Sequence, residues 1–253
     1  MRVISLSETV QVIEKGKVPS AATLIFGFPD VGLVGVIAAS YLVEELNLEE
    51  IAYIESEMLP PLVVLHDGLP HSSIRIFAGE KIVLTISEVP VPVEMVHQVM
   101  NALMKWGESK NVKMMISLSG IPLEDRQDAT ELKCFAAASN PEALKLAQDK
   151  NIEPLTEGYI VGPQAIMLQH ASNTGTPALA LLGQCFYNYP DPEAAAEVLK
   201  NLANIVDIKV DVSKLLQKGE EIRLRARDVM KRTQEEMGKM KKGQEMDIPI
   251  YVS

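Results

Sequence analysis

Cysteine, aromatic side chains and positive charge are all scarce in this sequence. Among 253 residues there are two cysteines, Cys134 and Cys185, aromatic residues make up 5%, and the net charge at pH 7 is −10. Two cysteines inside separate apolar runs exclude a disulfide framework and a CxxC metal site, and we expect both to be buried thiols. The acidic balance argues against nucleic-acid binding, which depends on clustered Lys and Arg that displace counterions from phosphates.

Long hydrophobic runs are also missing. No apolar stretch reaches the roughly 20 residues that cross a bilayer. The N-terminal segment Met1–Glu8 meets an acidic residue before any run long enough for a signal peptide. We therefore predict a soluble cytoplasmic protein without a membrane span, in which 47% apolar residues supply one substantial core.

Strand-like and helix-like segments alternate along the chain. A short apolar run at 22–28 precedes a helical pattern at 33–46, a second amphipathic helix begins at Pro92, and buried-type strands follow at 112–119 and 178–182. Neighbouring parallel strands need crossover connections, which are usually helices, so we predict an α/β fold with a mainly parallel, mixed sheet. Short strands between 51 and 86 form a hairpin-like run that adds antiparallel strands.

The chain divides into an α/β domain (1–212), a long charged C-terminal helix (213–243) and an apolar C-terminal tail (244–253). The sparse apolar positions of the helix suit a narrow contact seam with a partner helix. A solvated helix that lies on its own domain fits the same pattern.

The tail is apolar at a position where chains are usually polar and frayed. Its last residues are Ile250, Tyr251, Val252 and Ser253, and Pro249 precedes them. Tyr251 offers a large ring and a hydroxyl, and Pro249 limits the entropy that is lost when the tail becomes ordered. We therefore expect the tail to dock on a partner.

A glycine cluster, Gly27, Gly32 and Gly35, follows the first apolar strand. Its GxxxxGxxG spacing is neither the dinucleotide GxGxxG motif nor a phosphate loop, and no Lys or Ser/Thr follows to contact a phosphate or magnesium ion. A sharp turn and close helix packing is the preferred interpretation, with an anion or small ligand at the helix start as the alternative. Gly120 and Gly162 are the other candidate ligand or turn glycines, because a cavity at the strand ends would lie beside them.

No catalytic, cofactor or metal-binding residue is assigned from the sequence. The four histidines include no pair at a metal-binding helical spacing such as HExxH. The serines Ser117 and Ser119 near a strand end do not form GxSxG. Nothing separates a catalytic pair of carboxylates from a solvated acidic surface.

Several short segments occur in an order and spacing that resemble one protein family. They are Gly27–Gly35, Leu59-Pro60-Pro61, Ser119-Gly120-Ile121, Gly158–Gly162 and Tyr189–Ala195. Across residues 20–216 the sequence resembles the proteasome assembly chaperone family in its archaeal form.

The resemblance implies a three-layer α/β/α fold similar to the phosphorylase/hydrolase-like group, and assembly into homo-oligomers. It also implies binding to proteasome α-ring subunits through a C-terminal hydrophobic–tyrosine–any-residue motif, matched here by Ile250-Tyr251-Val252. The family pattern has the tyrosine next to last and pairs the terminal carboxylate with a pocket lysine. Ser253 departs from that pattern and displaces the carboxylate by up to about 3.3–3.6 Å.

The leading hypothesis is a non-enzymatic, homo-oligomeric assembly chaperone or adaptor, with the tail as anchor and the long helix as an oligomer contact. One alternative is a nucleotide- or phosphate-binding enzyme, because the fold group includes nucleoside phosphorylases and the family has been described as related to ATP-grasp ligases. A second alternative is an oligomer whose cavity binds a small ligand.

Overall fold

The computed structural model describes residues 10–240, which form eleven strands and eight α-helices. The strands are β1 (Gln11–Glu14), β2 (Thr23–Gly27), β3 (Glu49–Glu55), β4 (Val64–His66), β5 (Leu69–His71), β6 (Ile74–Ala78), β7 (Ile82–Ser87), β8 (Met114–Pro122), β9 (Cys134–Ala138), β10 (Glu153–Pro154) and β11 (Ala178–Cys185). The helices are α1 (Val34–Glu45), α2 (Val93–Ser109), α3 (Pro141–Asp149), α4 (Pro163–Thr174), α5 (Pro192–Val206), α6 (Ser213–Gln217), α7 (Gly219–Arg225) and α8 (Arg227–Lys239).

A nine-stranded mixed sheet forms the middle layer, in the order β1-β3-β6-β7-β2-β8-β11-β9-β10. The central strands β7, β2, β8 and β11 are parallel. Antiparallel pairings extend the sheet on both sides, through β6 and β3 on one side and β9 on the other. The predicted mixed sheet is confirmed, and the hairpin-like run supplies its antiparallel strands and a separate β4–β5 hairpin.

Helices cover both faces of the sheet and give the three layers. Helices α1 and α5 pack together on one face, and α2 and α4 pack together on the other. Side chains of β2 alternate between the two faces of the sheet. Ile25 belongs to the core under α1 and α5, whereas Leu24 and Phe26 belong to the core on the side of α2. Burial on both faces explains why the central strands are continuous apolar runs in the sequence.

A C-terminal helical region is present from Ser213, but it is divided. Turns at Lys218 and Ala226 separate α6, α7 and α8. The single long helix expected over 213–243 is therefore three consecutive helices up to Lys239, and positions 241–243 lie outside the described residues.

The apolar seam of this helical region packs against its own chain. Leu215, Met230 and Met237 are buried in the core that α1 and α5 also line. The interpretation of the seam as a contact for a partner helix is therefore wrong for these three residues, because intramolecular packing already covers them.

Both cysteines are buried, as predicted. Burial raises the pKa of the Cys134 thiol to about 12, so this thiol stays protonated at neutral pH. Within residues 10–240, no helix combines the length and apolar character needed to cross a membrane.

Candidate functional site

The candidate site lies at the carboxyl ends of β2 and β8. The chain leaves β2 through α1 toward β3 on one side of the sheet, and later leaves β8 toward β11 on the other side. Adjacent parallel strands whose connections run in opposite directions define a topological switch point, where open α/β sheets commonly bind their ligands.

Three polar side chains meet at this switch point. Asp30 follows β2, Ser119 belongs to β8, and Gln164 lies in the first turn of α4; their exposed fractions are 5%, 1% and 2%. The Ser119 hydroxyl donates to Asp30 Oδ2 at 2.5 Å, and Gln164 Nε2 donates to the same oxygen at 2.8 Å. Gln164 Nε2 also donates to the carbonyl of Val161 at 2.8 Å. The cluster therefore joins three separate chain segments.

This cluster lacks the arrangement of a serine nucleophile. A catalytic serine needs a neighbouring base that removes its proton, most often a histidine that a carboxylate orients. Among the described residues no histidine contacts Ser119, because His66, His71 and His170 pair with glutamates elsewhere and His97 is exposed. Within residues 10–240, no three His, Cys, Asp or Glu side chains form a potential metal-binding group.

The structure places the four candidate glycines around the same strand ends, where backbone fills the space beside several of them. A Cβ on Gly35 would lie 2.3 Å from the carbonyl oxygen of Leu118, and one on Gly120 would lie 2.4 Å from Cys185 Sγ. Gly32 has a φ of +61° and Gly162 a φ of +100°, conformations that L side chains rarely adopt. This geometry favours the interpretation as turn and packing glycines.

Helix α8 covers the switch-point crevice. Thr233, Met237 and Met240 line a cavity together with Phe28 and Asp30. The cavity is about 20 Å³, which holds about one water molecule and is too small for a nucleotide. The chain's own helix therefore lies where related architectures bind ligands.

A hydrogen bond from α2 helps to anchor α8 in this position. Glu236 Oε2 accepts from the backbone N–H of Val93, the first residue of α2, at 3.0 Å. A carboxylate at a helix N-terminus satisfies a free N–H group and interacts favourably with the helix dipole.

An ion-pair network is joined to the glycine cluster by a backbone hydrogen bond. Arg126 donates to both carboxylate oxygens of Asp191, at 2.7 and 2.9 Å, and to Glu193 at 2.6 Å. The side chain of Asp191 is fully buried and caps α5 by accepting a hydrogen bond from the N–H of Ala194. The backbone N–H of Asp191 donates to the carbonyl of Gly32 at 2.8 Å. The segments around the glycine cluster and around Asp191-Pro192 are thus held together.

The ion pairs of Glu193 should stabilise the fold in a pH-dependent way. Burial is the largest single influence on the pKa of Glu193 and acts to raise it. The hydrogen bonds from Arg223 and Arg126, together with the positive charges of these two residues, outweigh burial. The pKa of Glu193 therefore lies below its usual value. A carboxylate with a lowered folded-state pKa stabilises the fold above its unfolded-state pKa of about 4.3, and this stabilisation is lost as the pH falls through the folded-state value.

We therefore expect Glu193→Gln to be less stable than the natural chain at pH 7 and to approach its stability as the pH falls below about 4. Urea unfolding at a series of pH values from 7 to 3 measures the free energy of unfolding of both chains. A difference in the free energy of unfolding that stays constant over this pH range would contradict the lowered pKa of Glu193. Glu124→Gln, on an exposed residue near the same segment, is the control.

Sequence reasoning did not single out Arg126 or Gln164. The stretch 124–131 is acidic and polar, a composition typical of a surface loop, yet Arg126 within it is buried. Its signal was a lone basic residue inside an acidic stretch. Gln164 had no signal beyond its place two residues after Gly162. The candidate docking residues Ile250, Tyr251, Val252 and Ser253 lie outside the described residues.

The chain is an α/β/α protein whose switch-point crevice is covered by its own C-terminal helix. The sequence profile of the PAC2 family matches residues 24–230. This match covers most of the chain, which therefore belongs to the PAC2 family.

Known proteins similar to this chain span almost its whole length. The crystal structure of Pyrococcus furiosus PbaA, described as an archaeal homolog of proteasome-assembly chaperone, has a TM-score of 0.84 and 28% identity, covering 89% of this chain and 98% of PbaA. Pyrococcus furiosus PbaB, described as an archaeal proteasome activator, has a TM-score of 0.74 at 18% identity, covering 88% and 99%, and shares the fold. An uncharacterized protein of Methanocaldococcus jannaschii, MJ0106, is 24% identical over 246 residues, covering 97% of this chain and 99% of the relative.

Proposed function

We propose that this chain is a non-enzymatic, homo-oligomeric assembly chaperone or adaptor of the cytoplasm that docks on proteasome α-rings through its tail, residues 244–253. The observation that carries the proposal is the likeness to PbaA, at 28% identity over 89% of the chain. The family match over residues 24–230 supports the same kind of protein.

The closed crevice supports a binding role over a catalytic one. The Ser119 hydroxyl donates to Asp30, and Met237 and Met240 of the C-terminal region occupy the space where a substrate would enter. An enzyme of this architecture needs an accessible pocket at the strand ends with a few convergent polar groups.

The position of α8 supports the tail as the docking element. Two contacts help to hold helix α8 against the domain: Met237 is buried, and Glu236 accepts a hydrogen bond from the N–H of Val93. Its end at Lys239 gives residues 244–253 a fixed point of departure.

The test compares binding of four chains to purified proteasome α-rings from the same organism. They are the full chain, a chain truncated after Asp247, Tyr251→Ala, and a chain that lacks only Ser253. We expect truncation to abolish binding, Tyr251→Ala to weaken it at least tenfold, and removal of Ser253 to strengthen it by making the tyrosine next to last. Light scattering measures the oligomeric state of each chain.

Equal binding by the full and truncated chains would show that the tail is not the anchor. If none of the four chains binds, the proposal that proteasome α-rings are the partner of this protein is wrong. Tyr159→Ala, a change at an exposed tyrosine outside the tail, is the matched control and is expected to bind as the full chain does.

A further inference from the structure

Three strips of surface lie side by side at the carboxyl edge of the sheet. The acidic strip is the stretch 124–131, which follows β8, and the aromatic strip is the loop 186–190, which follows β11. The basic strip is a row of side chains along α7 and α8. The outward-facing side chains of the three strips have no role in the arrangement described so far.

The acidic strip presents carboxylates without a cationic partner. Its four acidic residues are exposed, and none forms an ion pair within residues 10–240; they are Glu124, Asp125, Asp128 and Glu131. The one basic residue of the stretch, Arg126, is buried and bound to Asp191 and Glu193. Every exposed charge of the acidic strip is therefore negative.

The basic strip follows one side of α7 and α8. Its members recur at spacings of three or four residues, which makes them neighbours on a helix: Arg223, Arg227, Lys231 and Gln234. Ala226, between the two helices, donates its N–H to the carbonyl of Ile222 and accepts from the N–H of Met230. Both bonds have the normal helical spacing, so the row continues from α7 into α8.

Both ends of this row contact the aromatic strip or the residues just after it. Arg223 forms an ion pair with Glu193 at 3.0 Å, and Gln234 donates to the carbonyl of Asn188 at 3.1 Å. Arg227 and Lys231 lie between these two contacts and are exposed. In the part of the chain that the structure describes, neither forms an ion pair. Two positive charges thus border the aromatic strip.

The aromatic strip separates the acidic strip from the basic one. Phe186 lies on the acidic side, with its ring centroid 4.8 Å from the guanidinium carbon of Arg126. Tyr189 lies on the basic side, 6.0 Å from the guanidinium carbon of Arg223. Tyr189 is 41% exposed, and Leu224 beside Arg223 is 58% exposed. Tyrosine and arginine are the residue types that dominate the centres of protein interfaces.

We propose that this surface joins two copies of the chain about a two-fold axis that passes close to Tyr189. A two-fold rotation reverses the order of the strips, so the basic strip of each copy faces the acidic strip of the other. Opposite charges then meet twice, on either side of an aromatic centre. This arrangement matches the usual division of a protein interface into an apolar core and a polar rim.

The distribution of charge favours a second copy over a partner of a single sign of charge. An acidic partner would face the acidic strip, and a basic partner would face the basic strip, so either would meet like charge. A second copy complements both strips at once. Because the whole chain has a net charge of −10, two copies repel each other unless the basic strip lies in the contact.

The inference rests on the homo-oligomer of the proposed function and assigns the surface that forms it. It involves neither the tail nor the proteasome ring. A chain that stays monomeric at all concentrations would refute both the inference and the homo-oligomeric part of the proposed function. A chain that self-associates without regard to the three strips would refute the inference alone.

Charge reversal in the full-length chain tests the contact. The variant Arg227→Glu/Lys231→Glu makes the basic strip acidic, and Glu124→Lys/Asp128→Lys makes the acidic strip basic. Each charge pair occurs twice in a two-fold contact, so we expect either variant to raise the dissociation constant of self-association at least about tenfold. Sedimentation velocity over a series of concentrations measures this constant.

Rescue separates charge complementarity from damage to the fold. An equimolar mixture of the two variants should form mixed pairs about as tightly as the natural chain pairs with itself, because each reversed strip then faces opposite charge. A chain with all four changes should self-associate for the same reason. The control is Lys113→Glu/Lys145→Glu, which reverses two exposed lysines beside the amino end of β8 and alters the net charge as much as the basic-strip variant.

Equal effects of the basic-strip variant and the control would overturn the inference, and so would a failure of the two variants to pair with each other. A second measurement does not depend on charge. Because Tyr189 lies close to the axis, Tyr189→Cys should form a disulfide between two copies under mild oxidation, whereas Tyr159→Cys, at an exposed tyrosine outside the strips, should not. Both natural cysteines are buried. A purely monomeric product from Tyr189→Cys would equally count against the two-fold contact.

Discussion

Replacing Asp191 by alanine is expected to lower the free energy of unfolding by about 3–5 kcal/mol, because it leaves the buried Arg126 guanidinium without its main partner. The carboxylate accepts two hydrogen bonds from Arg126 and one each from the N–H groups of Phe186 and Ala194. Denaturant unfolding followed by circular dichroism measures the change.

A double-mutant cycle separates the two roles of Asp191, which are pairing with the charge of Arg126 and capping the start of α5. Arg126→Met removes the buried charge together with its need for a partner, so we expect Asp191→Ala to cost less in that background than alone. A cost below about 1 kcal/mol for Asp191→Ala alone would show that the network is not a major source of stability.

Replacing Gly35 by alanine should destabilise the fold by about 3 kcal/mol, at the upper end of the usual range for overpacking. The added Cβ would lie 2.3 Å from the carbonyl oxygen of Leu118 and 2.9 Å from that of Phe28. Both neighbours are backbone atoms of the central sheet or its following turn, so neither can move aside as a flexible side chain can. Thermal or denaturant unfolding measures the loss.

Gly238→Ala provides the matched control for Gly35→Ala. Gly238 lies in α8, and nothing lies within 4 Å of the position that its Cβ would take. Alanine is favoured over glycine in a helix by up to about 1 kcal/mol, so this change should stabilise the protein. Similar effects of the two substitutions would contradict the packing role of Gly35.

The fold class followed from local sequence patterns. The central strands are apolar on both faces, so β2, β8 and β11 were visible as continuous runs. Proline and the residue before it marked the starts of α3, α4 and α5. These signals act within a few residues, which is why they can be interpreted without knowing the contacts.

The candidate site was only partly predictable, because its members are distant in the sequence. Asp30, Ser119 and Gln164 meet only when β2, β8 and α4 are assembled. Arg126 looked like a surface residue until its pairing with Asp191, 65 positions later, buried it. No local pattern reports which polar residue finds a distant partner.

The sequence by itself determined the α/β class, the burial of both cysteines and the order of motifs that resembles one family. Only the tertiary structure decided that the apolar seam of the C-terminal helices packs on its own domain and that α8 covers the switch-point crevice. The physical reason is that an amphipathic pattern specifies a face to be buried and not the surface that buries it. That surface is created when α1, α5 and the strand ends come together.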